Sequence, residues 1–175
     1  MTFSHLRRGG TYYRVCDPSW PDPSDTSFSK TQGGRWNPPD RPGRPGFGAL
    51  YLNATIALAR ANARRHVFFS FGATIDDLID DDQRPELQHY EIQESDFVDA
   101  VTPAAVAALG LAPSYPSGIP HPPCQGIAED AYAQGEHGVV PLSAVSPADE
   151  ELVIFDRDVA ALAVKTARVE FANWY

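Results

Sequence analysis

Sixteen prolines and thirteen glycines are distributed unevenly along this chain, and their clustering constrains the possible fold more than any other feature. Two stretches, Asp17 to Asp40 and ALGLAPSYPSGIPHPPCQ from Ala108 to Gln125, are dense in Pro, Gly, Ser and Asp. Proline lacks a backbone donor and fixes φ, and ordered glycine costs backbone entropy, so neither stretch suits a long helix or a central strand. Both read as long surface loops, which in a domain of this size are either functional or poorly ordered. Regular structure therefore has to come from the segments between them.

Those segments alternate between β-type and helical patterns. YYRVC (Tyr12 to Cys16) is a short aromatic and branched run, and GALYLN reads as a buried strand. ATIALARANARR (Ala54 to Arg65) predicts a helix that turns Ile56, Leu58, Ala59 and Ala63 inward. HVFFSFGA (His66 to Ala73) predicts another strand, with His66 at its start as a satisfied core residue, and the acidic IDDLIDDDQ (Ile75 to Gln83) a solvated turn or short helix. LQHYEI and DFVDAV read as two strands. TPAAVAALGL reads as a helix capped by Thr102 with Pro103 in its first turn. CQGIAEDAYAQGEHG predicts a helix ending near Gly135, and GVVPLSAV, ELVIFD and ARVEFANWY further strands. The expected class is α+β, a single domain over 1–175 with mixed or antiparallel sheets and a few short helices.

Charge and spacing exclude several functions. Fourteen basic against 23 acidic residues give a net charge of −9, which repels nucleic acid and anionic membrane surfaces. Arg35, Arg41 and Arg44 nevertheless share one loop, so a local basic pocket for a small anion is compatible with the overall sign. Cys16 and Cys124 form no disulfide framework and read as buried or half-buried thiols. His5, His66, His89, His121 and His137 lack metal-ligand spacing, and no metal is expected. The first residues lack the apolar core of a secretory leader, and no apolar run approaches the roughly 20 residues of a membrane span. The expected location is cytoplasmic.

Four features can carry chemistry. Arg35 in GGRWNPP offers a planar fork of donors to phosphate or carboxylate, with glycines clearing space; the same loop also suits a turn pinned by Trp36. Tyr51 alternates with Leu50 and Leu52, so it faces either a cleft or a packed interface. Ser143 follows a strand and a proline, without the context of a hydrolase nucleophile, and is either a ligand donor or a turn serine. Glu129 and Asp130 lie on the preceding helix as an acidic, solvated face.

The order YYR, GGRWNPP, ALYLN with its alanine-rich helix, CQGIAEDAYAQGEHGVVPLSA and ELVIFD resembles the RES domain family, from about Tyr12 to Asp156. The resemblance implies an NAD-degrading toxin of a bacterial toxin–antitoxin pair, partnered by an Xre-type antitoxin. It also implies an ADP-ribosyltransferase-like fold, with NAD as substrate and either water or inorganic phosphate as the acceptor. A homo-oligomer is compatible with this reading. Carried over by motif, the family arginine falls on Arg35, the tyrosine on Tyr51 and the serine on Ser143, and Arg14 matches an arginine of the first strand. Arg14 and Arg35 would hold the pyrophosphate.

The family glutamate lies eleven positions beyond the tyrosine, and here that position is Asn62; a two-residue gap would place Arg60 there instead. An asparagine keeps the shape and hydrogen bonding of the acid but not its charge, whereas nicotinamide–ribose cleavage passes through an oxocarbenium-like sugar that a carboxylate stabilises. Glu129, Asp130 and Glu136 are candidates for a substitute carboxylate only because they precede Ser143. The alternative is a catalytically impaired domain that binds NAD or a protein partner.

Overall fold

The structure, a computed structural model, describes residues 1–77 and 84–175. Its organising element is one long strand, β3 (Glu86–Ala100). Along one edge β3 pairs antiparallel with β1 (His5–Cys16), from Val98 opposite His5 to Glu86 opposite Cys16. Its other edge is shared: Leu87 to Ile92 pair with β6 (Ala163–Val169), and Val98 to Ala100 run parallel to β4 (Gly138–Pro141). LQHYEI and DFVDAV are thus halves of a single strand. The polar residues between them stay extended because β1 accompanies them, with a bulge at Arg8/Gly10 where Gly10 adopts φ 87°.

β2 (Ala49–Asn53) and β5 (Glu151–Phe155) complete a sheet of order β1-β2-β5-β4-β3-β6, and the β1–β3 pairing closes its first five strands into a ring. The ring is joined at β1 and β2 through one register pair, Tyr13 with Asn53, so the two strands diverge on either side of it. The parallel β3–β4 step needs a long crossover. It carries α3 (Pro103–Ala108) and α4 (His121–Gln134), the latter opened by Pro122 and Pro123 and closed by Gly135 at φ 89°.

Strand alternation sorts the core into two faces. Leu50, Leu52, Leu152 and Ile154 join Tyr12, Tyr90, Phe97 and Val140 on one side. Ala49, Val139, Val153 and Phe155 pack on the other against Trp36, Phe47 and the α4 residues Cys124, Ile127, Ala128 and Ala131. Both proline-rich segments are ordered by this second cluster. Leu109, Leu111 and Ile119 of the 108–125 segment are buried in it, and the 17–40 segment forms α1 (Ser27–Gln32), whose Ser29 hydroxyl accepts from the amide of Ala49 at 2.8 Å.

Three local expectations are corrected. HVFFSFGA does not form a strand: α2 (Ile56–Phe71) runs through it, because Ala59, Ala63 and Val67 form a buried stripe at four-residue spacing that outweighs the β-propensity of the aromatic run. His66 accordingly sits exposed on a helix rather than in the core. The ARVEFANWY segment leaves β6 after Val169 and turns into α6 (Phe171–Trp174), which buries Trp174 and lets its indole N–H donate to the carbonyl of Pro85 at 3.1 Å. Thr102 precedes α3 but makes no cap bond; its hydroxyl donates to Asp99 Oδ2 at 2.6 Å. DRDVAAL forms α5 (Asp156–Leu162), burying Val159 and Leu162. Of IDDLIDDDQ, Ile75–Asp77 is a single 3₁₀ turn and the rest lies outside the described residues. No helix among the described residues is long and apolar enough to cross a membrane.

Both cysteines are free and buried. Burial pushes the Cys124 thiol up to about 11 against the opposing charge of Arg35, and it raises Cys16 as well. Neither thiol is expected to react with an aromatic disulfide reagent at pH 8 in the native protein, and both of the chain's two cysteines should react once it is unfolded. Fast native labelling of either would contradict this packing.

Candidate functional site

Where β1 and β2 diverge, a cleft of about 310 Å³ opens. Its walls are Arg14 and Val15 of β1, Tyr51, Leu52 and Asn53 of β2, Asn62 and His66 of α2, Glu151 of β5, and Trp20.

A carboxylate is fixed in this wall by neighbours from three different elements. Asn53 and Glu151 are register partners on β2 and β5. Thr55 caps α2, its hydroxyl accepting from the amide of Leu58 at 3.1 Å, so the helix starts immediately after β2 and carries Asn62 back over the strand end. The Asn62 amide then donates to Asn53 Oδ1 at 2.7 Å and to Glu151 Oε1 at 3.1 Å. From the other side, the β4–β5 loop is closed by the Leu142–Glu150 bridge and by the amide of Ser143 donating to the carbonyl of Asp149 at 2.8 Å. That closure places the buried Ser143 hydroxyl 2.7 Å from the same Glu151 Oε1, to which it donates. Both bonds end on Oε1, and Oε2 takes none from the described residues.

Arg14 supplies the opposite charge. Its guanidinium lies 5.2 Å over the Trp20 ring and donates to the carbonyl of Pro23 at 2.5 Å. Burial lowers its pKa from the usual arginine value, and no carboxylate among the described residues pairs with it. A partly desolvated cation that lines a cleft and pairs with no carboxylate among the described residues is poised for an anionic ligand.

GGRWNPP is a tight knot beside this cleft. The amide of Gly34 donates to the carbonyl of Asn37 at 2.9 Å, and the Tyr51 hydroxyl both accepts from the amide of Trp36 at 2.9 Å and donates to Asn37 Oδ1 at 2.8 Å. Glycine is required at 34, where a Cβ would lie 2.4 Å from the Tyr51 oxygen. Gln125 of α4 donates to the carbonyl of Gly34 at 2.8 Å. Burial raises the Tyr51 phenol far above its ordinary value, only partly opposed by the Trp36 amide, so this hydroxyl stays protonated and acts as a structural donor. Trp36 is buried and pins the turn.

Arg14, Tyr51 and Asn62 therefore share one cleft, and Ser143 stands behind it through Glu151. Arg35 does not line the cleft. Its Nη1 donates to the carbonyl of Pro116 at 2.9 Å, tying the first proline-rich segment to the second. Arg60, the alternative to Asn62, points elsewhere and donates to the carbonyl of Trp174 at 2.9 and 2.6 Å. Glu129 is held by Arg44 at 2.6 Å and Glu136 by His5 at 2.9 Å, while Asp130 is exposed on α4, so none of these carboxylates reaches the cleft. Glu151, Asn53, His66 and Trp20 are the site residues that sequence reasoning missed. The only signal for Glu151 was its place at the head of ELVIFD, which becomes informative once β5 is known to pair with β2.

The sequence model of the RES domain matches residues 11–173, and the chain belongs to that family. Among solved structures, the chain is similar to the Mycobacterium tuberculosis MbcT–MbcA toxin–antitoxin complex. The TM-score is 0.77 at 20% sequence identity, covering 95% of this chain and 86% of that one, a likeness of fold. No curated protein matches the sequence significantly.

Proposed function

We propose that this protein degrades NAD, cleaving the bond between nicotinamide and ribose as a glycohydrolase or phosphorylase, and acts as the toxin of a toxin–antitoxin pair. The observation that carries this reading is the cleft itself, in which Arg14, a half-buried cation with no carboxylate paired to it among the described residues, shares the wall with a carboxylate, Glu151, oriented by Asn62 and Ser143. A dinucleotide needs both ends: a cationic group for the pyrophosphate and an anionic group near the sugar where positive charge develops. Membership of the RES family and the fold shared with a toxin–antitoxin complex support the toxin role and a protein antitoxin as partner. The net charge of −9 suits a basic partner surface.

Purified protein incubated with NAD is expected to release free nicotinamide, followed by chromatography, with ADP-ribose as co-product in water and its 1-phosphate ester when phosphate is the acceptor. Arg35→Ala is expected to abolish the release, by cutting the tie from the GGRWNPP loop to the Pro116 carbonyl of the 108–125 segment and removing positive potential beside Tyr51. Intact NAD that nonetheless binds would instead identify a non-catalytic binding domain. The uncharged Asn62 on α2 is the observation that favours that second reading.

A further inference from the structure

We propose that Glu151 is the catalytic carboxylate of this chain, delivered from strand β5, and that Asn62 is its orienting donor. The inference rests on the NAD-cleaving reading above and assigns the acid that this reading requires. Glu151 is the one carboxylate among the described residues lining the cleft. It stands across the β2–β5 ladder from Asn53, so its backbone is fixed by strand pairing rather than by a loop. Two neutral donors, the Ser143 hydroxyl at 2.7 Å and the Asn62 amide at 3.1 Å, converge on one of its oxygens. Hydrogen bonds of this kind fix the plane of the carboxylate. Its Oε2 takes no bond from the described residues.

Asn62 has a clear purpose in this arrangement. An acid at that position would sit against Glu151 Oε1, and two carboxylates at 3.1 Å cannot both ionise readily. An amide removes the repulsion and donates instead. The site thus needs one acid and one amide across the cleft wall, and this chain places the acid on β5.

In the reaction, the bond from ribose C1′ to the nicotinamide ring nitrogen breaks, and its electron pair leaves with nicotinamide, which departs neutral. The cationic C1′ forms beside the Glu151 charge. The oxygen of water, or of inorganic phosphate, bonds to C1′ on the opposite side of the departing ring. With water, the proton released passes to Glu151 and then to solvent, leaving nicotinamide, ADP-ribose and one proton from NAD and water.

The test compares wild type, Glu151→Gln, Asn62→Glu and the exchange Asn62→Glu/Glu151→Asn for nicotinamide release, NAD binding by calorimetry and thermal stability. Glu151→Gln keeps an acceptor for Ser143 and Asn62. It is expected to lower kcat by about 10²–10⁴-fold while NAD affinity and melting temperature stay near wild type. Asn62→Glu alone is expected to lower turnover, and the exchange to recover at least a tenth of the wild-type rate, because it restores one acid and one amide. Glu151→Gln activity within threefold of wild type, or a gain in Asn62→Glu that persists without Glu151, would overturn the assignment and leave NAD cleavage intact. A wild-type protein that releases no nicotinamide would sink the NAD-cleaving reading, and the assignment with it.

Discussion

Gly138→Ala is expected to lower the melting temperature by roughly 6–12 °C, or to prevent folding altogether, taking about 2–4 °C per kcal/mol for a chain of this size and a cost of about 3 kcal/mol. A Cβ at this position would lie 1.9 Å from the carbonyl oxygen of Val153 and 2.9 Å from its carbon. Both are backbone atoms of the partner strand, so no side-chain rotation relieves the contact. β4 would have to part from β5, breaking the Gly138–Ile154 and Val139–Val153 pairs and unseating residues that are wholly buried. The same ladder positions Ser143 and Glu151, so any folded fraction should also lose activity. Gly126→Ala on α4 is the matched control. Nothing lies within 4 Å of its added Cβ, and an alanine in a helix interior is expected to stabilise by about 0.5–1 kcal/mol. Circular dichroism melts of the two variants separate steric cost from any general intolerance of substitution.

Arg14→Ala is expected to raise KM for NAD by about 10–150-fold, the range of a charge-assisted hydrogen bond worth about 1.5–3 kcal/mol. Burial has already partly desolvated this guanidinium, which donates to a carbonyl and lies over an aromatic face, with no carboxylate paired to it among the described residues. An incoming pyrophosphate therefore meets a cation that need not first break an ion pair. Arg14→Lys should recover only part of the loss, because an ammonium cannot hold the Pro23 carbonyl and two phosphate oxygens in one planar fork. Competition by free pyrophosphate should weaken in parallel with KM in both variants. An unchanged KM in Arg14→Ala would remove Arg14 from the binding site, whatever the effect on stability.

Much of the fold was legible where strand periodicity met burial. GALYLN reads as a buried strand and ELVIFD as a further strand, and the parity that sets Tyr51 apart from Leu50 and Leu52 is realised as two separate clusters. The stretch after Arg65 was misread because aromatic and branched residues carry a β signal locally. Its helical state is set by the stripe Ala59, Ala63 and Val67, which depends on what α2 packs against. The C-terminal aromatic run was misread for a similar reason: Trp174 reaches its buried position only if the chain turns after Val169. At the site, Asn62 could be found by counting from Tyr51, and the cleft does contain it. Glu151 could not, since its neighbours come from β2, α2 and the β4–β5 loop, and none of these pairings is written in local sequence.

Joining the ring through the one pair Tyr13–Asn53 has a consequence for how such a site can change over time. The cleft beside that junction is walled by a helix, a strand end and a loop that meet in space but are encoded far apart. Its charge belongs to the space they enclose rather than to any one of them. Asn62 on α2 and Glu151 on β5 stand 3.1 Å apart, so two compensating substitutions would suffice to pass an acid from one wall to the other without altering a strand pair. On the assignment of Glu151 proposed above, reaction chemistry in this architecture would outlast the loss of the residue that a motif search looks for.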